Sequence, residues 1–207
     1  MYHFLREDRK LQFEPYTPVV VGETLVYPGK PELCKAGFHA SERIIDALRY
    51  APGPVLCVVE LGGEIVHGDD KAVAQERTVS WMQDISPTLH EFACQVAEEA
   101  LKECGVTDKR PWKAIEVKRK WLKGEASDEE LKAATDAARD AANAAWSAAA
   151  NAAWCAANAA WCAAYAAWCA TNAAWSAAYA ARSTTYDARD AAPPQNEKLE
   201  AMIKELM

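Results

Sequence analysis

The residues of clearest chemical interest in the first half of the chain are a histidine, a serine and a glutamate. His39 and Ser41 lie in the segment Gly-Phe-His-Ala-Ser, directly before a predicted helix whose free backbone amides favour an anion. Glu76 lies in a predicted strand, and Tyr27 is expected across the fold from His39 and Ser41. We take His39, Ser41 and Glu76 as candidate catalytic residues. The structural alternative is that His39 caps the helix that begins at Ser41.

The order of these residues resembles that of ADP-ribosyltransferase folds, in which a Tyr/Ser segment precedes a helix and a Glu opens a late strand. The resemblance implies an NAD-binding head in which the carboxylate of Glu76 orients a ribose hydroxyl and stabilises an oxocarbenium ion. No other kind of site is indicated, because His3, His67 and His90 lack the spacing of metal ligands. The chain also has no phosphate-binding Gly-rich loop and no Ser elbow. We therefore expect no metal and no cofactor.

The elements that must position these residues form a small α+β domain over residues 1–84. Apolar runs separated by Pro and Gly predict an extended arm at 18–27, a helix at Glu42–Tyr50 and strands at 55–61, 64–67 and 73–81. Residues 85–125 predict a helical hairpin linker, with helices from Ser86 to about Cys104 and from Trp112 to about Leu122.

An alanine-rich region follows at residues 126–192. Of the 43 alanines, 31 lie between Ala133 and Ala192, and neither Gly nor Pro occurs between Gly124 and Pro193. The segment Ser127-Asp128-Glu129-Glu130 is a capping box. Since alanine is the strongest helix former, this region predicts one helix of about 65 residues. Residues 193–207 predict a short amphipathic helix.

A seven-residue repeat runs through the alanine-rich region. Five Trp residues are spaced 8, 7, 7 and 7 apart, and an Asn or Tyr precedes each of them by three residues. Alternating steps of three and four residues define the a/d seam of a left-handed supercoil. The predicted fold class is therefore an α+β head followed by a long alanine-rich α-helical, heptad, coiled-coil-like region. The seam residues, which we predict to form an oligomer or partner interface, are Asn143, Trp146, Asn151, Trp154, Asn158, Trp161, Tyr165, Trp168, Asn172, Trp175 and Tyr179.

Two packings of this repeat are open. We call the row of seam residues the Trp stripe. In the first packing, the Trp stripe faces inward between several helices. In the second, the alanine faces pack together and the Trp stripe faces a partner. Residues 141–181 carry no charge that could solvate either face, so we expect the helix to be covered. Copies of the same chain are the expected cover, which predicts a homo-oligomer, and another protein is the alternative.

Charge and cysteine usage restrict partners and compartment. A net charge of −7 and a pI near 5.2 make nucleic-acid binding unfavourable, although residues 109–123 form a basic cluster. The seven cysteines contain no C-x-x-C pair, which indicates reduced thiols and a cytoplasmic protein. The N-terminus has no apolar run of signal-peptide length, and the recurring Asn residues disfavour membrane insertion.

Two parts of the chain resemble known families. The segments Leu33–Ser41, Ala47–Tyr50 and Cys57–Gly63 resemble an N-terminal domain of unknown function found in phage and prophage proteins. The segments Asp108–Glu116 and Trp121–Glu125, with the Ala/Trp repeat after them, are similar to putative immunity proteins. Neither resemblance implies catalytic residues.

Together these features predict a non-enzymatic cytoplasmic protein of phage or mobile-element type. It would self-assemble through the Ala/Trp helix, as an oligomer, a tube or a filament, and display the α+β head. One alternative is an immunity or inhibitor-type protein that binds a foreign protein through the Trp stripe. The other alternative is an ADP-ribosyltransferase-like head.

Overall fold

The structure, a computed structural model, describes residues 1–13, 15–147 and 192–207. The chain divides into a first unit, Met1–Ser86 with Asp190–Met207, and a second unit, Pro87–Arg189. In chain order the described elements are β1 (Tyr2–Leu5), β2 (Thr24–Val26), β3 (Phe38–Ala40), α1 (Ile44–Leu48), β4 (Val55–His67), β5 (Ala72–Asp84), α2 (Ser86–Glu103), α3 (Lys109–Leu122), α4 (Asp128–Ser147) and α5 (Ala192–Lys204).

The first unit is built on a five-stranded antiparallel sheet. Its strand order is β1-β4-β5-β2, and β3 also pairs with β5. The sequence predicted a turn at Gly62-Gly63, but β4 continues through both glycines with a register shift between Gly62 and Ile65. Gly63 has a φ of +70°, which glycine adopts without strain, so the extra residues form a bulge rather than a turn.

A pair of backbone hydrogen bonds closes this sheet upon itself. Ser41, directly after β3, donates its N–H to the Tyr2 carbonyl at 2.9 Å and accepts the Tyr2 N–H at 2.7 Å. The strands thereby surround an apolar interior, whose buried residues are Leu5, Val19, Ala40, Val55, Cys57, Val59 and Val79.

The C-terminal helix α5 completes the first unit. It packs against α1, a helix of five residues with no side-chain cap of its own. The side-chain oxygen of Asn196 accepts the Ile45 N–H at 3.2 Å, and so satisfies one of the free donors that every helix N-terminus has. Leu199 and Ile203 are buried at 0% and 2% exposure, so α5 contributes buried apolar side chains to the first unit.

The second unit, in its described part, is a helical assembly of α2, α3 and α4. One cluster joins Cys94, Ala97 and Leu101 of α2 to Ile115 of α3. A second cluster joins α3 to α4, through Ala114, Val117, Leu131 and Ala138. The predicted capping box is confirmed, since the Ser127 N–H donates to Glu130 at 2.8 Å and the Glu130 N–H donates to the Ser127 hydroxyl at 3.2 Å.

The predicted fold class is wrong in its second half. The structure is an α+β protein with five helices among the described residues, and those residues contain no long coiled coil. The helix that was expected to open the heptad region, α4, instead packs within the chain against α3. Small alanine side chains allow close helix packing inside one chain as readily as between chains, and periodicity does not distinguish the two.

Candidate functional site

The three candidate catalytic residues do not share one cleft. His39 lies on β3 opposite Val73, whereas Glu76 lies on β5 opposite Val26 of β2 and is exposed. Side chains alternate between the two faces of a strand, so Glu76 projects from the face opposite to that of Val73 and His39. Ser41 is buried at 2% exposure. The structure therefore does not assemble the His39, Ser41 and Glu76 set.

His39 holds a loop in place. Its Nε2 accepts the Cys34 N–H at 3.0 Å, and its ring also hydrogen-bonds the Gly37 backbone. Burial, followed by the positive charge of Lys71, lowers the pKa of His39, while the bond to Gly37 opposes this shift. The imidazole is therefore neutral at pH 7, and its two nitrogens connect residues 34 and 37. The expected helix-capping role is replaced by a loop-clamping role.

A polar cluster that the sequence analysis missed lies beside this loop. Tyr50 donates its hydroxyl to Asp70 at 2.6 Å, and the ammonium of Lys71 lies 3.8 Å from the centre of the Tyr50 ring. Burial opposes the charge of Lys71, but hydrogen bonds to the side chains of Cys34 and Tyr50 raise its pKa overall. The cluster joins the 34–37 loop, the end of α1 and the β4–β5 turn, so no local spacing in the sequence indicates it.

The chemistry that this cluster supports is that of an exposed nucleophilic thiol. Cys34 is exposed and has a φ of +63°, a conformation uncommon outside glycine. The ammonium of Lys71 hydrogen-bonds the Cys34 side chain, and a cationic neighbour is typical of cysteines that react with electrophiles. Cys57 and Cys94 differ, because both are buried and burial raises the pKa of each thiol to about 12.

We expect iodoacetamide at neutral pH to label Cys34 and to leave Cys57 and Cys94 unlabelled in the folded chain. Peptide mass spectrometry after timed quenching reads each site separately. Lys71→Met should slow the labelling of Cys34, whereas Lys30→Met, a change at an exposed lysine, should not. Equal rates at Cys34 and Cys57 would contradict the assignment.

Residues 82–206 match the family described as Imm-5 like putative immunity protein. The chain belongs to this family. Residues 1–91 match a second family, Domain of unknown function (DUF7666). Searches of curated proteins and of solved structures found no match.

The matches confirm the two resemblances in part. A domain of unknown function does occupy the N-terminal part, and an Imm-5 like putative immunity protein domain does follow it. The phage or mobile-element origin stays a prediction. The Imm-5 like match also includes α5, although α5 belongs to the first unit by its packing.

Within the Imm-5 like part, α4 shows how the start of the predicted stripe is placed. Its buried face is formed by Leu131, Thr135, Ala138 and Ala142, all at most 3% exposed. Asn143, the first stripe residue, is exposed, and Trp146 lies in the last turn of α4. The other predicted interface residues lie outside the described residues: Asn151, Trp154, Asn158, Trp161, Tyr165, Trp168, Asn172, Trp175 and Tyr179.

The described part of this Imm-5 like chain lacks two further features. No group of three or more His, Cys, Asp or Glu residues there could hold a metal ion. None of the helices found in residues 1–13, 15–147 and 192–207 combines the length and apolar character needed to cross a membrane.

Proposed function

We propose that this chain is an immunity-type protein that neutralises a foreign protein by binding it, and that its Trp stripe is the contact surface. The proposal requires a binding surface and no catalytic residues. Its first support is the Imm-5 like family, which covers residues 82–206.

The observation that carries the proposal is the orientation of α4. The alanine side of this helix is buried in the chain, and the stripe register lies roughly 100° around the helix from that side. Asp136 and Arg139, which hold stripe positions one heptad earlier, are half-buried, and Asn143 is exposed. The alanine side of α4 therefore packs against α3, and the stripe register is directed away from this contact. This arrangement corresponds to the second of the two packings, in which the stripe faces a partner.

The residue types of the stripe suit a protein partner. Trp and Tyr are enriched among the residues that dominate binding energy at protein interfaces, and Asn supplies hydrogen bonds between them. The stripe repeats these residues from Asn143 to Tyr179, with one step of eight positions followed by steps of seven. Such a row of aromatic anchors fits a partner with an extended apolar groove.

The test is to produce the proteins encoded by the genes adjacent to this one, each with and without the chain, and to record host growth. We expect that one of them arrests growth, that the chain restores growth, and that the two form a complex of fixed stoichiometry in light scattering. Persistent growth arrest in the presence of the chain, for every toxic neighbour, would overturn the proposal, as would the absence of any toxic neighbour.

The double variant Trp161→Ala/Trp168→Ala separates this proposal from self-assembly. If the stripe binds a foreign protein, the wild-type chain is a monomer and the double variant loses rescue and complex formation. If the stripe joins copies of the chain, the wild type is an oligomer and the double variant becomes monomeric. Lys102→Ala, an exposed change on α2 and away from the stripe, serves as the control and should behave as the wild type in both measurements.

A further inference from the structure

Arg77 is a charged side chain enclosed in the first unit. It lies on β5, opposite Leu61 of β4 and Leu25 of β2, and is 2% exposed. Its guanidinium carbon lies 5.1 Å from the centre of the Phe38 ring. Burial lowers the pKa of Arg77 to about 10, so the side chain remains a cation at neutral pH.

The hydrogen bonds of this guanidinium are incomplete on one edge. Nη1 donates to the His39 carbonyl at 3.1 Å. Nε and Nη2 are fully buried and have no hydrogen-bond partner among the described residues. The thiol of Cys57 interacts with the charge of Arg77, but with a pKa of about 12 it is neutral and supplies no countercharge.

The two unpartnered nitrogens have a specific geometry. Nε–H and Nη2–H point from the same edge of the planar guanidinium, as two parallel donors. That fork matches the two oxygens of a carboxylate or phosphate, which it binds bidentately. A buried charge without a partner is unfavourable, so the fold gains stability when an anion occupies this edge.

We propose that the Nε/Nη2 edge of Arg77 is a binding site for an oxyanion, a carboxylate or a phosphate. The ring of His3 also hydrogen-bonds the His39 backbone. The side chains of His3 and Arg77 therefore contact the same backbone position. Burial, and then the charge of Arg77, keep the pKa of His3 well below its usual value. Arg77 is therefore the sole cation of the site among these residues, which suits a ligand with one anionic group.

The test uses the full chain and three ions at equal ionic strength: inorganic phosphate, acetate and chloride. Each is added before refolding and, separately, to folded protein, because Arg77 is closed to solvent. We expect phosphate or acetate, but not chloride, to raise the melting temperature of the first unit by a few degrees in a saturable way. The oxyanion that acts at the lower concentration identifies the ligand class.

Two variants distinguish binding at Arg77 from general salt effects. Arg77→Met keeps much of the bulk and removes the charge, so the shift should vanish, and Arg77→Lys should weaken it because the fork is lost. Arg6→Met, a change at a partly exposed arginine, should retain the full shift. Equal shifts in the wild type and Arg77→Met, or no shift with either oxyanion, would overturn the site and leave a buried water as the partner.

A second measurement covers the case in which Arg77→Met does not fold. In wild-type protein with isotope-labelled arginine, the slowly exchanging Nε–H resonance of Arg77 should move saturably with phosphate or acetate. An unmoved resonance would exclude the site. This outcome does not depend on the immunity proposal, which concerns the second unit.

Discussion

Leu199→Ala should lower the free energy of unfolding of the first unit by about 2–5 kcal/mol, the usual cost of removing a fully buried leucine side chain. Leu199 is 0% exposed and lies on α5, which contributes Asn196 to the N-terminus of α1. The change is made more than a hundred positions after the end of β5, yet its effect should appear in the sheet. Hydrogen exchange of peptides from β4 and β5, read by mass spectrometry under increasing denaturant, measures it.

Leu206→Ala is the matched control, because it removes the same atoms from a leucine beyond the end of α5 that is 36% exposed. The free energy of unfolding that is derived from the same exchange rates should change by less than about 1 kcal/mol. If Leu199→Ala left the exchange of β4 and β5 unchanged and accelerated only that of α5, the helix would be an independent appendage and our description of the first unit would be wrong.

Gly37→Ala should destabilise the first unit by about 3 kcal/mol, through backbone strain and a steric clash together. Gly37 has a φ of +100°, and an added Cβ would lie 2.9 Å from the Ala74 carbonyl oxygen and 2.9 Å from a methyl group of Val73. Because those two residues pair with β3, the methyl group would force β3 away from β5 and would loosen the loop that His39 clamps. Chemical denaturation and the alkylation rate of Cys34 report the two effects.

Gly22→Ala separates strain from clash. Gly22 has a similar positive φ of +87°, but an added Cβ there would meet no atom within 4 Å. We expect a loss of about 1 kcal/mol, from backbone strain alone, and no change in Cys34 alkylation. If Gly37→Ala and Gly22→Ala lost the same free energy of unfolding, the predicted clash of a Cβ at position 37 with β5 would contribute nothing to the loss.

The sequence predicted the local features of this fold better than its long-range arrangement. The strand at residues 55–61, the capping box at Ser127 and a helix near the C-terminus are all encoded within short windows, and the structure contains each of them. The packing of α4 on α3 could not be predicted from its heptad spacing. Spacing fixes which residues share a face, but only the partner helix decides which face is buried.

The candidate sites show the same limit. The sequence marks His39 because it lies just before α1. In the structure, His39 lies beside the 34–37 loop, and both of its ring nitrogens form hydrogen bonds with the backbone of that loop. The Cys34, Tyr50 and Lys71 cluster depends on a turn between β4 and β5 that no motif marks. Arg77 is one charged residue in a predicted strand, and its significance follows only from the absence of a carboxylate around it in the described structure.

The return of α5 to the first unit determines when that unit can finish folding during synthesis. Its sheet ends at Asp84, but Asn196, whose oxygen accepts the Ile45 N–H, is translated only after the whole second unit has been translated. The nascent N-terminal part therefore waits with the apolar side of α1 uncovered, while the helices of the second unit can already pack. Production of the N-terminal match alone, residues 1–91, would leave that side uncovered permanently, whereas supplying residues 192–207 as a separate peptide would cover it.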